Sequence, residues 1–146
     1  MILHAGLIAL RQRGAWRGVL LRGEAGSGKS DLMLRALARG FRLVADDRTV
    51  VWSSGGRVYG RAPDLLSGLI ELRGVGIVTE PALPLAEVAL AVRCEAAGSP
   101  ERMPDTEWED VAGLRVPLLR LQPLEASAPA KLGRALNRLG RGRGAA

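Results

Sequence analysis

The amino-acid sequence predicts a single α/β domain. Its 146 residues are enough to bury one hydrophobic core and too few for two independent ones. Hydrophobic residues make up 47% of the chain and charged residues 25%, a composition that excludes disordered and fibrous classes. The stretch from Val19 to Leu37 has the pattern of a strand, a glycine-rich loop and a helix in succession. Size, composition and this strand-loop-helix unit together give the fold class.

The sequence shows no feature of a membrane or secreted protein. Its longest apolar runs, such as Val88 to Val92, fall far below the roughly 20 residues that cross a bilayer. The first six residues lack the basic region and apolar run of a secretory signal. The single cysteine, Cys94, has no partner for an internal disulfide, and its apolar neighbours place it in a buried strand. We therefore expect a cytoplasmic protein with no membrane partner.

The strongest motif has the pattern G-x-x-x-x-G-K-S. It consists of Gly23, Glu24, Ala25, Gly26, Ser27, Gly28, Lys29 and Ser30. In such a loop, backbone N–H groups point at phosphate oxygens, the lysine neutralises phosphate charge and the last hydroxyl reaches Mg²⁺. An apolar run, Val19 to Leu21, precedes the loop, and apolar residues at helical spacing follow it. A glycine-rich turn that matches by chance is the alternative, but the flanking strand and helix favour phosphate binding.

A second predicted strand, Phe41 to Ala45, ends in two acids, Asp46 and Asp47. One helix and one strand separate these acids from the loop, a distance along the chain that can return a carboxylate to the γ-phosphate. One acid could hold a metal-bound water while the other accepts a hydroxyl proton. Alternatively, the two acids simply open a turn.

The remainder of the chain predicts strands, turns and a final helix. We expect a hairpin, an apolar segment with tight glycine turns, a strand, a long polar loop, a strand broken by Pro117, and a helix. In chain order these span Val50 to Tyr59, Leu65 to Val78, Leu85 to Val92, Glu95 to Asp110, Leu114 to Leu121, and Ala130 to Leu139.

Three further side chains allow two interpretations each. Glu71 stands with Arg73 in an apolar segment, where it could bind Mg²⁺ or form an ion pair with that arginine. His4, the only histidine, is either an exposed terminal residue or part of a site. Arg102, the base within an acidic segment, either pairs locally or reaches over the site as an arginine finger.

Basic residues concentrate at the C-terminus. The net charge is +6, and residues 127 to 146 contain no acid but five bases, namely Lys131, Arg134, Arg138, Arg141 and Arg143. Such a tail suits an acidic partner protein or nucleic acid. Because no aromatic residue lies between the arginines to stack on bases, nucleic-acid binding is the less favoured interpretation.

Three segments together resemble bacterial HPr kinase/phosphorylase. They are the loop at 23–30, the strand end "RGFRLVADD" at 39–47 and the run "GLIELRGVGIV" at 68–78. The last is the most diagnostic, since a P-loop alone occurs in many families. The resemblance implies a P-loop kinase domain over residues 1–146, with a mixed central sheet and flanking helices, of the HPr kinase and phosphoenolpyruvate carboxykinase type. A basic C-terminal helix and tail would occupy about residues 129–146.

The resemblance also implies a reaction and its participants. Phosphate would move from ATP, or from pyrophosphate, to a serine of an HPr-like phosphocarrier protein, with reversal by phosphorolysis. The implied catalytic residues are His4, Lys29, Asp47 and Arg102, and the implied Mg²⁺ ligands are Ser30 and Glu71. In this scheme Asp47 acts as the base toward the serine hydroxyl.

Two departures from the resembled family shape these expectations. Longer members have a separate N-terminal domain without counterpart here, so we expect a short form and leave homo-oligomer formation open. Where long members carry a basic, glycine-containing loop for dephosphorylation, Leu121 to Ser127 has neither arginine nor glycine. We therefore expect the forward reaction to dominate. A P-loop kinase or NTPase for a small molecule, and a binding module without turnover, are the alternative functions.

Overall fold

The computed structural model describes residues 1–95 and 101–140. Within these ranges the chain forms eleven strands and two α-helices. The strands are β1 (Ile2–His4), β2 (Gly6–Gln12), β3 (Ala15–Arg22), β4 (Arg42–Ala45), β5 (Arg48–Ser54), β6 (Arg57–Arg61), β7 (Leu69–Leu72), β8 (Gly76–Thr79), β9 (Ala86–Cys94), β10 (Glu107–Val111) and β11 (Leu114–Leu121). The helices are α1 (Lys29–Leu37) and α2 (Ala128–Leu139), and a 3₁₀ turn covers Asp64–Leu66.

Nine of the described strands form one mixed sheet. Its main path runs β1-β5-β6-β9-β3-β2-β4. Strand β3 pairs antiparallel with β2 on one side and parallel with β9 on the other. Two strands pair with the edge of β9 that faces away from β3. Strand β6 pairs with its start, and β11 pairs in parallel with its end, from Ala91 to Cys94. Strand β10 extends the sheet beyond β11, and β7 and β8 form a separate hairpin.

The central sheet is buried on both faces. Side chains alternate along β3, so Val19 and Leu21 face the helices while Leu20 faces the other way. On the helical side they join a cluster that includes Leu32 of α1 and Leu132 of α2. On the opposite side, Leu20 packs with apolar residues of β5, β6 and β9, because the sheet curls over itself. This mixed α/β architecture with two helices is the fold class that the sequence predicts.

Most predicted elements are confirmed. The strand before the loop, the helix after it, the β5–β6 hairpin, the strand that contains buried Cys94 and the final helix all form. Among the described residues, neither helix is long and apolar enough to cross a membrane. Two strands that the sequence does not predict, β1 and β2, precede the unit of β3, the glycine-rich loop and α1.

Two predictions in the C-terminal half are wrong, the first of them in part. The segment Glu95–Asp110 was expected to be a loop; residues 96–100 lie outside the described part of the chain and 101–106 are irregular as expected. Glu107–Val111, however, forms β10, whose acids bind arginines of β3, β9 and β11. Pro117 does not break β11, which is continuous from Leu114 to Leu121. Pairing with β9 begins only at Leu118. The backbone N–H that Pro117 lacks is therefore not needed for pairing with β9.

A buried arginine fastens α2 to the β2–β3 hairpin. Arg17, 2% exposed, donates to Oε1 of Gln12 at 3.1 Å and to the carbonyl of Leu136 at 3.0 Å. The Gln12 amide in turn donates to the carbonyl of Gly133 at 3.1 Å. Burial lowers the pKa of Arg17 from its ordinary value. Because these bonds reach two turns of α2, they set how the helix lies against the sheet.

Replacement of either of two glycines by alanine should change the free energy of unfolding, in opposite directions for the two positions. Gly133 lies inside α2, and a Cβ there would sit 3.5 Å from Leu10, an ordinary contact. Gly133→Ala should therefore raise the free energy of unfolding by about 0.5–1 kcal/mol. A Cβ on Gly18 would lie 2.5 Å from the carbonyl oxygen of Glu87, so Gly18→Ala should lower it by about 1–3 kcal/mol. Urea unfolding of both variants measures this, and equal effects would contradict the packing described.

Candidate functional site

The glycine-rich loop lies between the end of β3 and the start of α1. Gly28, the residue before the helix, has φ of +98°, a left-handed conformation that favours glycine. A Cβ there would also lie 2.9 Å from Leu124. No side chain caps this end of α1, so its first N–H groups are available to an anion. Lys29 is buried at the first helical position, and Ser30 follows it on the exposed surface.

An open cleft of about 650 Å³ adjoins this loop. It is lined by His4, Arg22, Gly23, Glu24, Ala25, Gly26, Ser27, Arg93, Cys94 and Glu95. The loop forms one wall, the carboxyl ends of β3 and β9 form a second, and His4 from β1 stands at the rim. The cleft thus brings the N-terminus of the chain and the loop to one place.

His4 and Asp47 form a hydrogen-bonded pair. Nε2 of His4 lies 2.6 Å from Oδ1 of Asp47, and both side chains are more than half exposed. The antiparallel register of β1 and β5 explains the contact, because His4 pairs directly with Arg48, the residue after Asp47. Asp47 itself has φ of +67° at the tight connection from β4 to β5. Aspartate tolerates this conformation better than most residues, and it turns the carboxylate toward His4.

Asp46 occupies a different position from its neighbour. One of its carboxylate oxygens accepts the backbone N–H of Glu71 at 2.9 Å, which ties the β7–β8 hairpin to the end of β4. Burial is the largest influence on Asp46 and raises its pKa, the Glu71 N–H opposes this, and the charges of Asp47 and Glu71 raise the pKa further. Lys29 acts in the opposite direction. Three carboxylates and the loop lysine therefore share one neighbourhood.

Glu71 and Arg73 differ from the sequence-based expectation. They were predicted to be buried charges, but both side chains are exposed on the β7–β8 hairpin. In the described part of the chain they form no ion pair with each other, so that alternative is wrong. Glu71 is close enough to affect the pKa of Asp46, which places it beside the carboxylates. A role for Glu71 as a Mg²⁺ ligand stays a prediction.

Arg102 also stays a prediction. It is exposed in the irregular segment before β10, and across residues 1–95 and 101–140 it makes no hydrogen bond or ion pair. The arginines that do line the cleft are Arg22 and Arg93, which the sequence analysis did not single out. The position of Arg22 directly before Gly23 is the only sequence signal that could have indicated it. The sequence offered Asp46 and Asp47 as equivalent acids. The structure distinguishes them, because Asp46 accepts a hydrogen bond from the backbone N–H of Glu71.

The segment after β11 packs against the loop and α1. Leu124 lies over Gly28, and Arg35 donates to the carbonyls of Pro123 and Glu125. Arg35 also binds Asp31 one turn away, at 2.8 Å. The stretch that lacks arginine and glycine therefore serves as a packing surface for the first turns of α1.

The reactivity of the Cys94 thiol can be used to measure how well the wall of the cleft is buried. It is 5% exposed, and burial, opposed by Lys29, raises the pKa of its thiol to about 11. A thiol reacts as the thiolate, so at pH 8 the folded protein should react with a thiol reagent about 100-fold more slowly than the unfolded chain. The rate should rise about tenfold per pH unit until the pKa is approached. Stopped-flow measurements with and without denaturant check this, and fast native labelling at pH 8 would contradict it.

The family of the chain is indicated by comparison with known proteins. The family model "HPr Serine kinase C-terminal domain" matches residues 3–83, more than half of the chain. The HPr kinase/phosphorylase of Streptococcus sanguinis (strain SK36) is 35% identical over 129 residues, which cover 80% of this chain and 39% of that protein. That of Clostridium tetani (strain Massachusetts / E88) is 44% identical over 66 residues, which cover 45% of this chain and 22% of that protein. The chain thus spans about two fifths or less of these relatives.

A solved structure matches nearly the whole fold. The structure of the Hpr(Ser) kinase/phosphatase from Coxiella burnetii superposes with a TM-score of 0.75 and 25% sequence identity. The match covers 93% of this chain and 88% of that one. The region that the family model covers contains the loop, His4, both aspartates and Glu71, whereas Arg93 and Arg102 lie beyond it.

Proposed function

The chain belongs to the family of the HPr serine kinase C-terminal domain, and from that premise we propose that it transfers phosphate from ATP to a serine of an HPr-like phosphocarrier protein. The observation that carries this proposal is the cleft that the glycine-rich loop shares with His4, which holds Asp47 at 2.6 Å. A phosphate-binding loop supplies the donor side, and a carboxylate within reach of the same cleft supplies the acceptor side.

On the donor side, the loop N–H groups and Lys29 bind the nucleotide phosphates. The uncapped first turn of α1 adds its positive dipole end to the charge of Lys29. On the acceptor side, Asp47 takes the proton of the serine hydroxyl. His4 occupies only Oδ1 of Asp47, so the second oxygen is left to accept that proton. Arg102 is proposed to stabilise negative charge on the transferring group.

Mg²⁺ fits the carboxylates near the loop. Mg²⁺ keeps several waters and binds through one or two protein ligands plus substrate phosphates, so it needs no larger group of protein carboxylates. Burial is the main cause of the raised pKa of Asp46, and the nearby charges of Asp47 and Glu71 add to it, so a cation here would offset part of that negative charge. Ser30 and Glu71 would hold the ion, which neutralises phosphate charge when bound.

The acceptor is proposed to be a protein because the cleft is wide and open. Its volume is about 650 Å³, and His4 in its lining and the Asp47 that His4 contacts are both more than half exposed. A phosphocarrier of the HPr type is cytoplasmic, so we place the chain there as well. Pyrophosphate could replace ATP as donor, because the loop binds phosphates rather than a base. A kinase or NTPase for a small molecule is the outcome if no protein serine is phosphorylated.

Single substitutions at or beside the cleft should reduce phosphate transfer to different extents without unfolding the protein. We expect Lys29→Ala to reduce serine phosphorylation of HPr by about 10²-fold or more, because it removes charge stabilisation. Asp47→Asn should reduce kcat by about 10²- to 10⁴-fold, because it removes the base. His4→Gln should cause a smaller loss, since it only releases the Asp47 carboxylate. Transfer of labelled phosphate from ATP to HPr in the presence of Mg²⁺ measures these effects.

Matched control substitutions are available for the positive charge of Lys29 and the negative charge of Asp47. Lys131, the only other lysine, is exposed on α2, and Asp64 is 95% exposed beside Arg61. Lys131→Ala and Asp64→Asn should keep wild-type activity. Absence of transfer by the wild-type chain would refute the proposed acceptor, and unchanged transfer by Asp47→Asn would refute the proposed base.

The forward direction should dominate. The segment Leu121–Ser127 carries no arginine and packs Leu124 over Gly28, so it offers no cationic group beside the glycine-rich loop to an attacking phosphate. We expect release of phosphate from phosphoserine-HPr by inorganic phosphate to be at least about tenfold slower than ATP-driven phosphorylation under matched conditions. Comparison of the two initial rates decides this, and equal rates would contradict the expectation.

A further inference from the structure

Three arginines stand side by side across the parallel strands at the cleft. Arg22 at the end of β3 pairs in register with Arg93 of β9, and Arg93 pairs with Arg120 of β11. Residues paired in register project from the same face of a sheet. Arg22 and Arg93 line the cleft beside the glycine-rich loop, whereas Arg120 does not.

One carboxylate holds the two cleft arginines together. Oε1 of Glu109 accepts from Nη1 of Arg22 at 2.8 Å and from Nη2 of Arg93 at 3.0 Å. The Glu109 side chain is only 11% exposed and is not part of the cleft lining. Its negative charge offsets the mutual repulsion of the two guanidinium groups. Arg120 has two acids of its own, Glu95 and Glu107.

Hydrogen-bonding capacity is left over at this pair. Arg22 and Arg93 share one glutamate, and Arg120 binds two, of which Glu95 also lines the cleft, so these six groups together are neutral. Each guanidinium has five N–H donors, and within the described residues Arg22 and Arg93 each use one. Glu109 does not take more, because its Oε2 is buried without a hydrogen-bond partner among these residues. The side chains of Arg22 and Arg93 remain 31% and 46% exposed.

We propose that Arg22 and Arg93 form a phosphate subsite in the cleft, separate from the glycine-rich loop. Paired guanidinium forks match the oxygens of a phosphate group, which they bind through parallel charge-assisted hydrogen bonds. The phosphate is either free inorganic phosphate or the group carried on the phosphorylated serine, and the second source rests on the proposed function. Because Glu109 and strand pairing fix both arginines beforehand, little side-chain entropy is lost on binding.

A purely structural ion-pair network would behave differently. Partly exposed ion pairs contribute about 0–1 kcal/mol to stability, so stability alone gives little reason to place two like charges together. A network that served only to hold β10 would also treat Arg22, Arg93 and Arg120 alike. The proposed subsite distinguishes them, since only the first two face the cleft. Arg120→Gln is therefore the matched control.

The direct test follows the arginine side chains by NMR. Protein labelled with ¹⁵N-arginine is titrated with inorganic phosphate, and separately with O-phosphoserine, against sodium chloride at equal ionic strength. We expect two Nε–H signals to shift saturably with phosphate but not with chloride. They should be absent in Arg22→Gln and Arg93→Gln respectively, and retained in Arg120→Gln. Tighter binding of one phosphate compound identifies the source, and either result supports the subsite.

Two results of the titration would overturn the proposal. One is a chloride-like response, or no shift, at Arg22 and Arg93. The other is loss of the shifts in Lys29→Ala, which would mean that the phosphate lies in the loop. None of these readouts requires catalysis, so the subsite is decided even if the chain fails to phosphorylate HPr.

Inhibition kinetics provide a second, independent test for an active chain. Phosphate in the subsite should compete with HPr and not with ATP, whereas phosphate in the loop would compete with ATP. Arg22→Gln or Arg93→Gln should raise the phosphate inhibition constant about 10- to 100-fold, as expected for loss of a charged hydrogen bond. The KM for ATP should change little, and Arg120→Gln should behave as wild type. Competition with ATP alone would overturn the proposal.

Discussion

The parallel pairing of β3 with β9 is the contact on which the site depends. Both strands are buried in the centre of the sheet, and because they run in the same direction their carboxyl ends meet at one edge. The loop starts there, and Gly23 lies against β9 so closely that a Cβ would be 3.1 Å from the Cβ of Cys94. The same edge carries Arg22 and Arg93. The position of the loop is thus set by the core and not by the loop itself.

The His4–Asp47 pair beside the cleft depends on a different and much smaller contact. Strand β1 has three residues, and its pairing with β5 places His4 beside Asp47. The left-handed conformation of Asp47 costs on the order of 1–3 kcal/mol and must be offset by its surroundings. The buried hydroxyl of Thr49, which donates to the carbonyl of Ala5 at 2.8 Å, helps to hold β5 to the N-terminal strands.

The sequence predicts the parts of this molecule that are encoded locally. The loop and its flanking strand and helix follow from spacing within about twenty residues, and the acids at 46 and 47 follow from the end of a strand. Contacts between distant residues leave no such pattern. His4 and Asp47 are 43 positions apart, and only the family resemblance indicated the histidine. The acids of β10 resemble a solvated loop until arginines of three other strands are placed beside them.

The sequence did not indicate the pair of Arg22 and Arg93 for a related reason. Arginine is so frequent in this chain that no single one is conspicuous, and only the register of β3 with β9 selects Arg22 and Arg93. Positive charge at the cleft then has two fixed sources, the start of α1 with Lys29 on one wall and this pair on the other. Leu124 packs on Gly28 and holds the first wall, while Glu109 holds the second. Packing and strand pairing therefore fix the orientation of both sets of donors within the fold, so a ligand that bound there would order them at little further entropic cost.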